Sequence, residues 1–266
     1  RVTTLQTLGG TGALRLGADF LRSLMPHSTI WISDPSWENH KGVFERSGFK
    51  VEYYPYYDSN NKNIKFPEMV SKLKDISECS IVLLHACCHN PTGVDLNDTQ
   101  WDQIIDVIKT RNLCPFIDIA YQGFGENLES DGSLIRKLAK TGIHFLVANS
   151  FSKSFSLYGE RVGGLSVVTA NEKEKIAVTS HLKKIARTTY SNPPIHGAQI
   201  VSSVLSSQEL AGQWRDELAG MRDRIKLMRK TLVKEIGDLN RGANFQHIIN
   251  QKGMFSYSGL SKHQVV

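Results

Sequence analysis

Ser150-Phe151-Ser152-Lys153-Ser154-Phe155-Ser156 closely follows the apolar run Phe145-Leu146-Val147-Ala148. The run reads as a buried strand. In an open α/β sheet such a strand delivers the next residues to the carboxyl edge, where these folds hold ligands. Ser150 and Lys153 then sit at that edge, with Arg161 downstream. A lysine ringed by hydroxyls suits an amine that acts as a nucleophile. It attacks an aldehyde only when unprotonated, so partial burial and a nearby positive group help by lowering its pKa. Alone, the stretch reads more simply as a surface lysine with its stem on apolar neighbours. The pattern around it decides.

Working outward, residues 29–32, 51–54, 80–86, 115–121, 144–148 and 163–169 read as strands. Helical periodicity falls between most of them, at 41–47, 66–76, from a cap at Asp98 or Thr99 to about 109, and at 132–140. Alternation of this kind predicts a parallel-rich sheet with helices on both faces. The candidate chemistry then falls at consecutive strand ends: Trp37, Asn90, Asp118 with Tyr121, and Ser150 with Lys153. Independent packing residues would not all collect on one edge.

Each candidate has a chemical reason and a plainer alternative. Gly9-Gly10-Thr11-Gly12 opens a helix with Leu14, Ala18 and Leu21 on one face. Its unpaired N–H groups make a phosphate site, or simply a turn and cap. Trp37, after a Pro-Ser turn, could stack on a planar ring or pack half-buried. Asn90, in a rigid Asn-Pro loop, can present its amide to a ligand oxygen. Asp118 lies inside an apolar strand, which is costly without a partner. A protonated ring nitrogen would serve, and so would a structural ion pair. His85-Ala86-Cys87-Cys88-His89 invites a zinc reading, but neighbours on a strand point to opposite faces, and no second ligand pair is spaced to complete a site. No metal is expected.

The 266 residues are 40% hydrophobic and 22% charged, enough for one large soluble domain or one and a part. The formal charge is +6, but the densest basic cluster, 222–234, has helical spacing and acidic neighbours. It reads as a solvated helix face, so no nucleic-acid partner is expected, while small anionic substrates are favoured. No apolar run is long enough for a membrane span. Four cysteines without a CxxC fit a reducing compartment. Beyond 170, helices are expected at 172–187, 196–206 and 209–239. The last is amphipathic, with Leu218, Met221, Ile225, Met228 and Leu232 along one side. It is expected to bridge a domain at 1–220 to the start of a smaller α+β domain at 221–266. Phe255-Ser256-Tyr257-Ser258 alternates like that domain's first strand.

Taken together, the motifs resemble the aspartate aminotransferases, in subfamily Iα of the fold type I pyridoxal-phosphate enzymes. They are Gly9-Gly10-Thr11-Gly12, Pro35-Ser36-Trp37, His89-Asn90-Pro91-Thr92-Gly93, Asp118-Ile119-Ala120-Tyr121, Ser150-Phe151-Ser152-Lys153, Gly159-Glu160-Arg161 and Tyr190-Ser191-Asn192-Pro193-Pro194. Their order and spacing match the family across nearly the whole chain. The resemblance implies a three-layer α/β/α fold with a mostly parallel seven-stranded sheet. It implies transfer of an amino group from L-aspartate to 2-oxoglutarate through a pyridoxal 5′-phosphate Schiff base on Lys153, which also shuttles the proton. Asp118 would keep the pyridine nitrogen protonated, making the ring an electron sink, with His40 and His85 supporting it from behind. Tyr121 and Asn90 would hold the phenolic oxygen, Trp37 would stack on the ring, and Gly10, Thr11, Ser150, Ser152 and Arg161 would hold the phosphate. Trp37 and Asn90 would also contact substrate. Arg187 would cross a homodimer interface to bind the substrate's distal carboxylate in the neighbouring site.

The resemblance also sets expectations about extent and location. Members run past both ends of this chain, so it is expected to be a fragment. An N-terminal arm, a tyrosine from the partner subunit and the arginine that grips the α-carboxylate would lie outside it. A cytoplasmic protein is expected, with the mitochondrial matrix as the alternative. An aromatic amino acid aminotransferase is the nearest rival. A serine acyl-transferase of β-lactamase type is a different one, because Ser150-x-x-Lys153, Tyr190-Ser191-Asn192 and Lys140-Thr141-Gly142 mimic its motifs. Their order is wrong, however, and that nucleophile should open a helix. A nicotinamide dehydrogenase would need GxGxxG after its first strand. An inactive truncated interaction module is the non-enzymatic reading.

Overall fold

The structure, a computed structural model, describes residues 1–239 and 244–265. Its main sheet contains β1 (Val2–Leu8), β2 (Thr29–Asp34), β3 (Lys50–Pro55), β6 (Ile81–His85), β7 (Cys114–Ile119), β8 (Phe145–Ser150) and β9 (Val162–Val168). The strand order is β1-β9-β8-β7-β6-β2-β3. The short β4 (Tyr57–Asp58) and β5 (Asn63–Ile64) pair separately. Strands β2, β3, β6, β7 and β8 pair in parallel, whereas β9 is antiparallel to both its neighbours, β8 and β1. Strand β1 therefore runs with the parallel set, and β9 alone is reversed. The carboxyl ends of six strands and the start of β9 consequently share one edge.

Helices cover both faces. On one lie α1 (Gly9–Leu24), α2 (Glu38–Arg46) and α7 (Glu172–Thr189), packed over residues such as Ile30, Leu83, Phe116 and Leu165. Helix α1 comes so close that a Cβ at Gly17 would collide with the Phe116 ring. On the other lie α3 (Phe66–Asp75), α4 (Asp98–Thr110) and α6 (Ser133–Thr141), over Val82, Leu84, Ile117 and Val147. Ile81, Val82, Leu83 and Leu84 of β6 are all within 1% of complete burial. Each contributes about 1.5–3 kcal/mol of hydrophobic stabilisation. The short α5 (Leu128–Asp131) precedes α6, and α8 (His196–Ser206) leads into the long α9 (Gln208–Leu239).

The expected three-layer α/β/α architecture is present, with some corrections. Helix α4 is capped by Asn97, not by Asp98 or Thr99. The Asn97 side chain accepts from the Gln100 N–H, and the Gln100 side chain accepts from the Asn97 N–H. Helix α1 already begins at Gly9, so the glycine turn is its first turn. Residues 255–258 are not a strand. The Phe255 and Tyr257 carbonyls of that segment accept from side chains instead of a neighbouring strand. Along α9 only Leu218 of the apolar row is fully buried, while Met221, Met228 and Leu232 face a groove. Helix α9 is continuous across 220 and 221. No helix among the described residues is long and apolar enough to cross a membrane.

Candidate active site

Strand β8 ends at Ser150, and the chain then turns. The Phe155 and Ser156 N–H groups bond back to the Phe151 and Lys153 carbonyls. This turn points Lys153 into a cavity of about 190 Å³. Gly10, Thr11, Trp37, His85, Asn90, Asp118, Tyr121, Ser150, Ser152 and Arg161 line the same cavity. Ten of the expected residues thus join Lys153, although they come from six separate segments of the chain. Arg161 is there because β9 is reversed: it precedes that strand, so the start of β9 lies on the shared edge. Gly9, at the end of β1, closes the arrangement by donating its N–H to the Arg161 carbonyl.

The anion end of the cavity is built from α1, Arg161 and the β8 turn. Helix α1 has neither a side-chain cap nor an acidic residue in its first turn, so the N–H groups that follow Gly9 are open to a ligand. A Cβ at Gly9 (φ +67°) would lie 2.5 Å from the Arg161 guanidinium, and one at Gly10 would lie 2.9 Å from Ser150 Cβ. Only glycine admits helix, serine and guanidinium at this spacing. The buried hydroxyls of Ser150 and Ser152 border the same corner.

At the opposite end Asp118 is held from behind. His40, fully buried, bonds the carboxylate through Nε2 at 2.9 Å. Its Nδ1 meets Ser36 Oγ at 2.9 Å, and Ser36 Oγ lies 3.4 Å from His85 Nε2. The Asn90 N–H donates to His85 Nδ1 at 3.3 Å. This contact fixes the polarity of the row: His85 Nε2–H donates to Ser36, Ser36 to His40, and His40 to Asp118. Burial lowers the His85 pKa to about 3, reinforced by His40 and opposed by Asp118. Burial pushes the Asp118 carboxyl up, but the His40 hydrogen bond and nearby positive charge outweigh it and hold the carboxyl below its ordinary value. His85 therefore acts on Asp118 through Ser36 and then His40, and the motifs alone assign Ser36 no role.

Between these ends, Lys153 Nζ lies 4.9 Å from the Tyr121 ring centre and 6.0 Å from that of Tyr158. Among the described residues it has no hydrogen-bond or ion-pair partner. Burial lowers its pKa; Asp118 opposes this and Arg161 adds to it. The Tyr121 phenol is pushed up by burial and by the Asp118 charge, with the Asn90 amide acting against both. Trp37, the residue before α2, packs edge-on to His40 at 5.2 Å and borders the opening. Tyr158 and Cys87 also line the cavity and are not among the residues expected from sequence. The one signal for Tyr158 is its place between Lys153 and Arg161. The whole arrangement offers an unpaired amine, a low-pKa carboxylate and an anion cradle around one gap.

Similarity to known proteins agrees with this geometry. The sequence profile of the family described as "Aminotransferase class I and II" matches residues 1–266. This chain belongs to that family. It is 52% identical to an aspartate aminotransferase of Pseudomonas aeruginosa, covering all of this chain and 67% of that protein. It is 51% identical to an aromatic-amino-acid aminotransferase of Escherichia coli, with the same coverage. The fold superposes with a TM-score of 0.99 on the crystal structure of an aromatic-amino-acid aminotransferase from Burkholderia pseudomallei covalently bound to pyridoxal phosphate. That protein is 54% identical, with 100% of this chain and 66% of that one covered. The chain thus spans about two thirds of the length of the relatives it matches. Membership fits the strand-end position of Ser150, whose hydroxyl accepts from the Ser152 N–H rather than opening a helix as in the acyl-transferase reading.

Arg187, near the end of α7, is exposed, bonds the Ser191 hydroxyl and does not line the cavity. The strand argument against Cys87 and Cys88 sharing a ligand does not hold. Strand β6 stops at His85, Cys88 adopts φ +52°, and both thiols gather with the Asp131 carboxylate within 4.8 Å of one another. That carboxylate is committed to the N–H groups of Gly123, Gly125 and Glu126. A hydrogen bond between the thiols and burial raise the Cys87 pKa; in Cys88 that bond pulls the pKa down, but burial and the Asp95 and Asp131 charges together outweigh it and raise it. Both thiols stay protonated, the form that ligates a metal poorly.

Proposed function

We propose that the protein holds pyridoxal 5′-phosphate in this cavity and transfers the amino group of L-aspartate to 2-oxoglutarate, giving oxaloacetate and L-glutamate. The observation that carries the reading is the unpaired Lys153 amine between Asp118 and the anion cradle. When bound, the cofactor supplies an aldehyde that captures amines and a ring that withdraws electrons. Gly10, Thr11, Ser150, Ser152 and Arg161 bind its phosphate, their N–H groups, hydroxyls and guanidinium sharing one dianion. Asp118, kept ionised by His40, would hold a proton on the ring nitrogen. Asn90 and Tyr121 would donate to the phenolic oxygen, and Trp37 would cover the ring face. Lys153 is the nucleophile and later the base; burial and Arg161 favour the neutral amine that both tasks need.

For the substrate, Trp37 and Asn90 line its path, and Arg187 binds the distal carboxylate across a homodimer interface. The exposure of Arg187 away from its own cavity supports that reading. We further read residues 1–220 as the cofactor domain, 221–266 as the start of a smaller one, and the cytoplasm as its location. The 51% and 54% identities to aromatic-amino-acid aminotransferases favour a second reading, in which the substrate is aromatic. The test loads the protein with pyridoxal phosphate, reduces it with borohydride and maps the labelled peptide. Transfer to 2-oxoglutarate is then compared for aspartate and phenylalanine. Label anywhere but Lys153 rejects the cofactor assignment, and faster phenylalanine turnover selects the aromatic reading.

A further inference from the structure

Arg229, on α9, is only 5% exposed. A buried cation usually sits beside a carboxylate, yet among the described residues none lies within ion-pair distance of it. All three of its nitrogens instead point at one irregular segment. Nε donates to Ser256 Oγ at 2.8 Å and Nη1 to the Gln251 carbonyl at 2.5 Å. Nη2 donates to the Gly253 and Phe255 carbonyls at 2.7 and 2.6 Å. Residues 251–256 have no helix or strand to occupy these carbonyls, so the guanidinium takes the place of a ladder.

The other side of this strap leans on the candidate active site. The Lys252 N–H donates to the Gly93 carbonyl at 2.6 Å, in the loop that carries Asn90. Gly253, at φ +80°, lies so close to Cys88 that a Cβ would collide with it. The Phe255 ring meets Tyr121 edge-on at 5.9 Å, and the Tyr158 hydroxyl approaches Met254 Sδ at 4.0 Å. Tyr121 and Tyr158 are the two rings flanking Lys153.

We propose that Arg229 is a positioning residue: by clamping residues 251–256 it seats Phe255 on Tyr121 and Lys252 on the Asn90 loop, fixing the two groups that face the phenolic oxygen. A planar fork that reaches three carbonyls and a hydroxyl at once does this; a lysine ammonium, a point charge, cannot span them. The link to catalysis rests on the aminotransferase reading, whereas the clamp does not.

The test uses the full chain with Arg229→Met, Arg229→Lys and Phe255→Ala, with Lys230→Ala as control. Lys230 is the next residue on the same helix and is exposed. In ligand-free protein, exchange of the Lys252 amide rises about tenfold or more in Arg229→Met, less in Arg229→Lys, and is unchanged in the control. In pyridoxal-phosphate-loaded protein, the pH midpoint of the visible band rises by about half a unit or more in Arg229→Met and Phe255→Ala, because misplaced donors hold the negative oxygen less well. Faster exchange with an unmoved midpoint overturns the positioning role and leaves a structural clamp. Unchanged exchange overturns the clamp itself. If Arg229→Met does not fold, Ser256→Ala, which removes a single strap bond, carries the same two readouts. A wild-type protein with no visible band refutes the cofactor reading instead, and the proposal then stands or falls on Lys252 exchange and on ultraviolet titration of Tyr121.

Discussion

Asp131→Asn isolates one side chain that shapes the loop carrying Tyr121. The carboxylate is 5% exposed and accepts three backbone N–H groups: Gly123 at 2.8 Å and Gly125 at 2.9 Å on Oδ2, and Glu126 at 2.9 Å on Oδ1. The loop wraps so tightly that a Cβ at Gly125 would lie 2.5 Å from Oδ1. Asparagine keeps the shape but has one acceptor oxygen. Placed at Oδ2, it retains two bonds and turns an NH₂ against the Glu126 N–H. Orphaning that donor costs about 1–3 kcal/mol, and each retained bond loses about 1 kcal/mol of charge assistance. The expected loss is therefore about 3–5 kcal/mol, read from the urea midpoint at a shared slope. Asn127→Ala is the comparison. It removes the α5 cap, where Asn127 Oδ1 accepts from the Ser130 N–H at 2.7 Å, and should cost about 1 kcal/mol. An Asp131→Asn loss below that of Asn127→Ala would refute the argument that one carboxylate organises the loop. Tyr121 should also loosen, because the Phe124 N–H bonds its carbonyl within the same turn.

The remaining predictions bear on the proposed chemistry. Lys153→Ala should abolish both the visible band and transfer, while urea unfolding shifts by about 1 kcal/mol or less, because no hydrogen bond is lost. Arg187→Leu should cut aspartate turnover about a hundredfold and phenylalanine turnover far less; equal losses would remove Arg187 as the distal clamp. Arg161→Ala removes a positive neighbour that lowers the Lys153 pKa, leaving the opposing pull of Asp118. The amine then protonates at higher pH, so the pH for half-maximal labelling of Lys153 by an aldehyde reagent should move up. A downward or absent shift would refute the charge effect of Arg161 on the amine. Gly10→Ala forces a Cβ against Ser150 and should weaken inorganic phosphate and cofactor binding about tenfold, measured by calorimetry.

The sequence carries the parts of this fold that depend on periodicity. Strands β6, β7 and β8 announce themselves as apolar runs because helices cover both their faces. Strand β1 gives no such signal, since Val2-Thr3-Thr4-Leu5-Gln6-Thr7-Leu8 is an edge strand with little to bury. Residues 255–258 mislead because alternation Phe-Ser-Tyr-Ser describes a two-faced segment whether or not a partner strand exists. Here the partner is a guanidinium from α9 and the side chain of Gln251, contacts that no local pattern encodes. Ser36 is legible as part of a motif but not as the link between two histidines. Its role needs β2 beside β6, an adjacency between strands distant in the chain.

Position on the sheet edge also explains why the candidate site is more legible than the topology. Outside the glycine turn, whose strand β1 gives no signal, each residue can be assigned to a strand end from its flanking apolar run, and parallel strands bring their ends together whatever their order. The exception is Arg161, which precedes its strand. In an all-parallel sheet it would lie on the far edge, across the length of β9 from Lys153. The reversal of β9 between β8 and β1 moves it to the edge shared by Ser150 and the glycine turn. The same reversal leaves β1 parallel to β8, so α1 starts where an anion is wanted and points its N-terminus inward. One antiparallel strand thus places the guanidinium and the helix N-terminus on the same corner. An insertion that returned β9 to a parallel course would separate them while leaving Asp118, His40 and Lys153 in register.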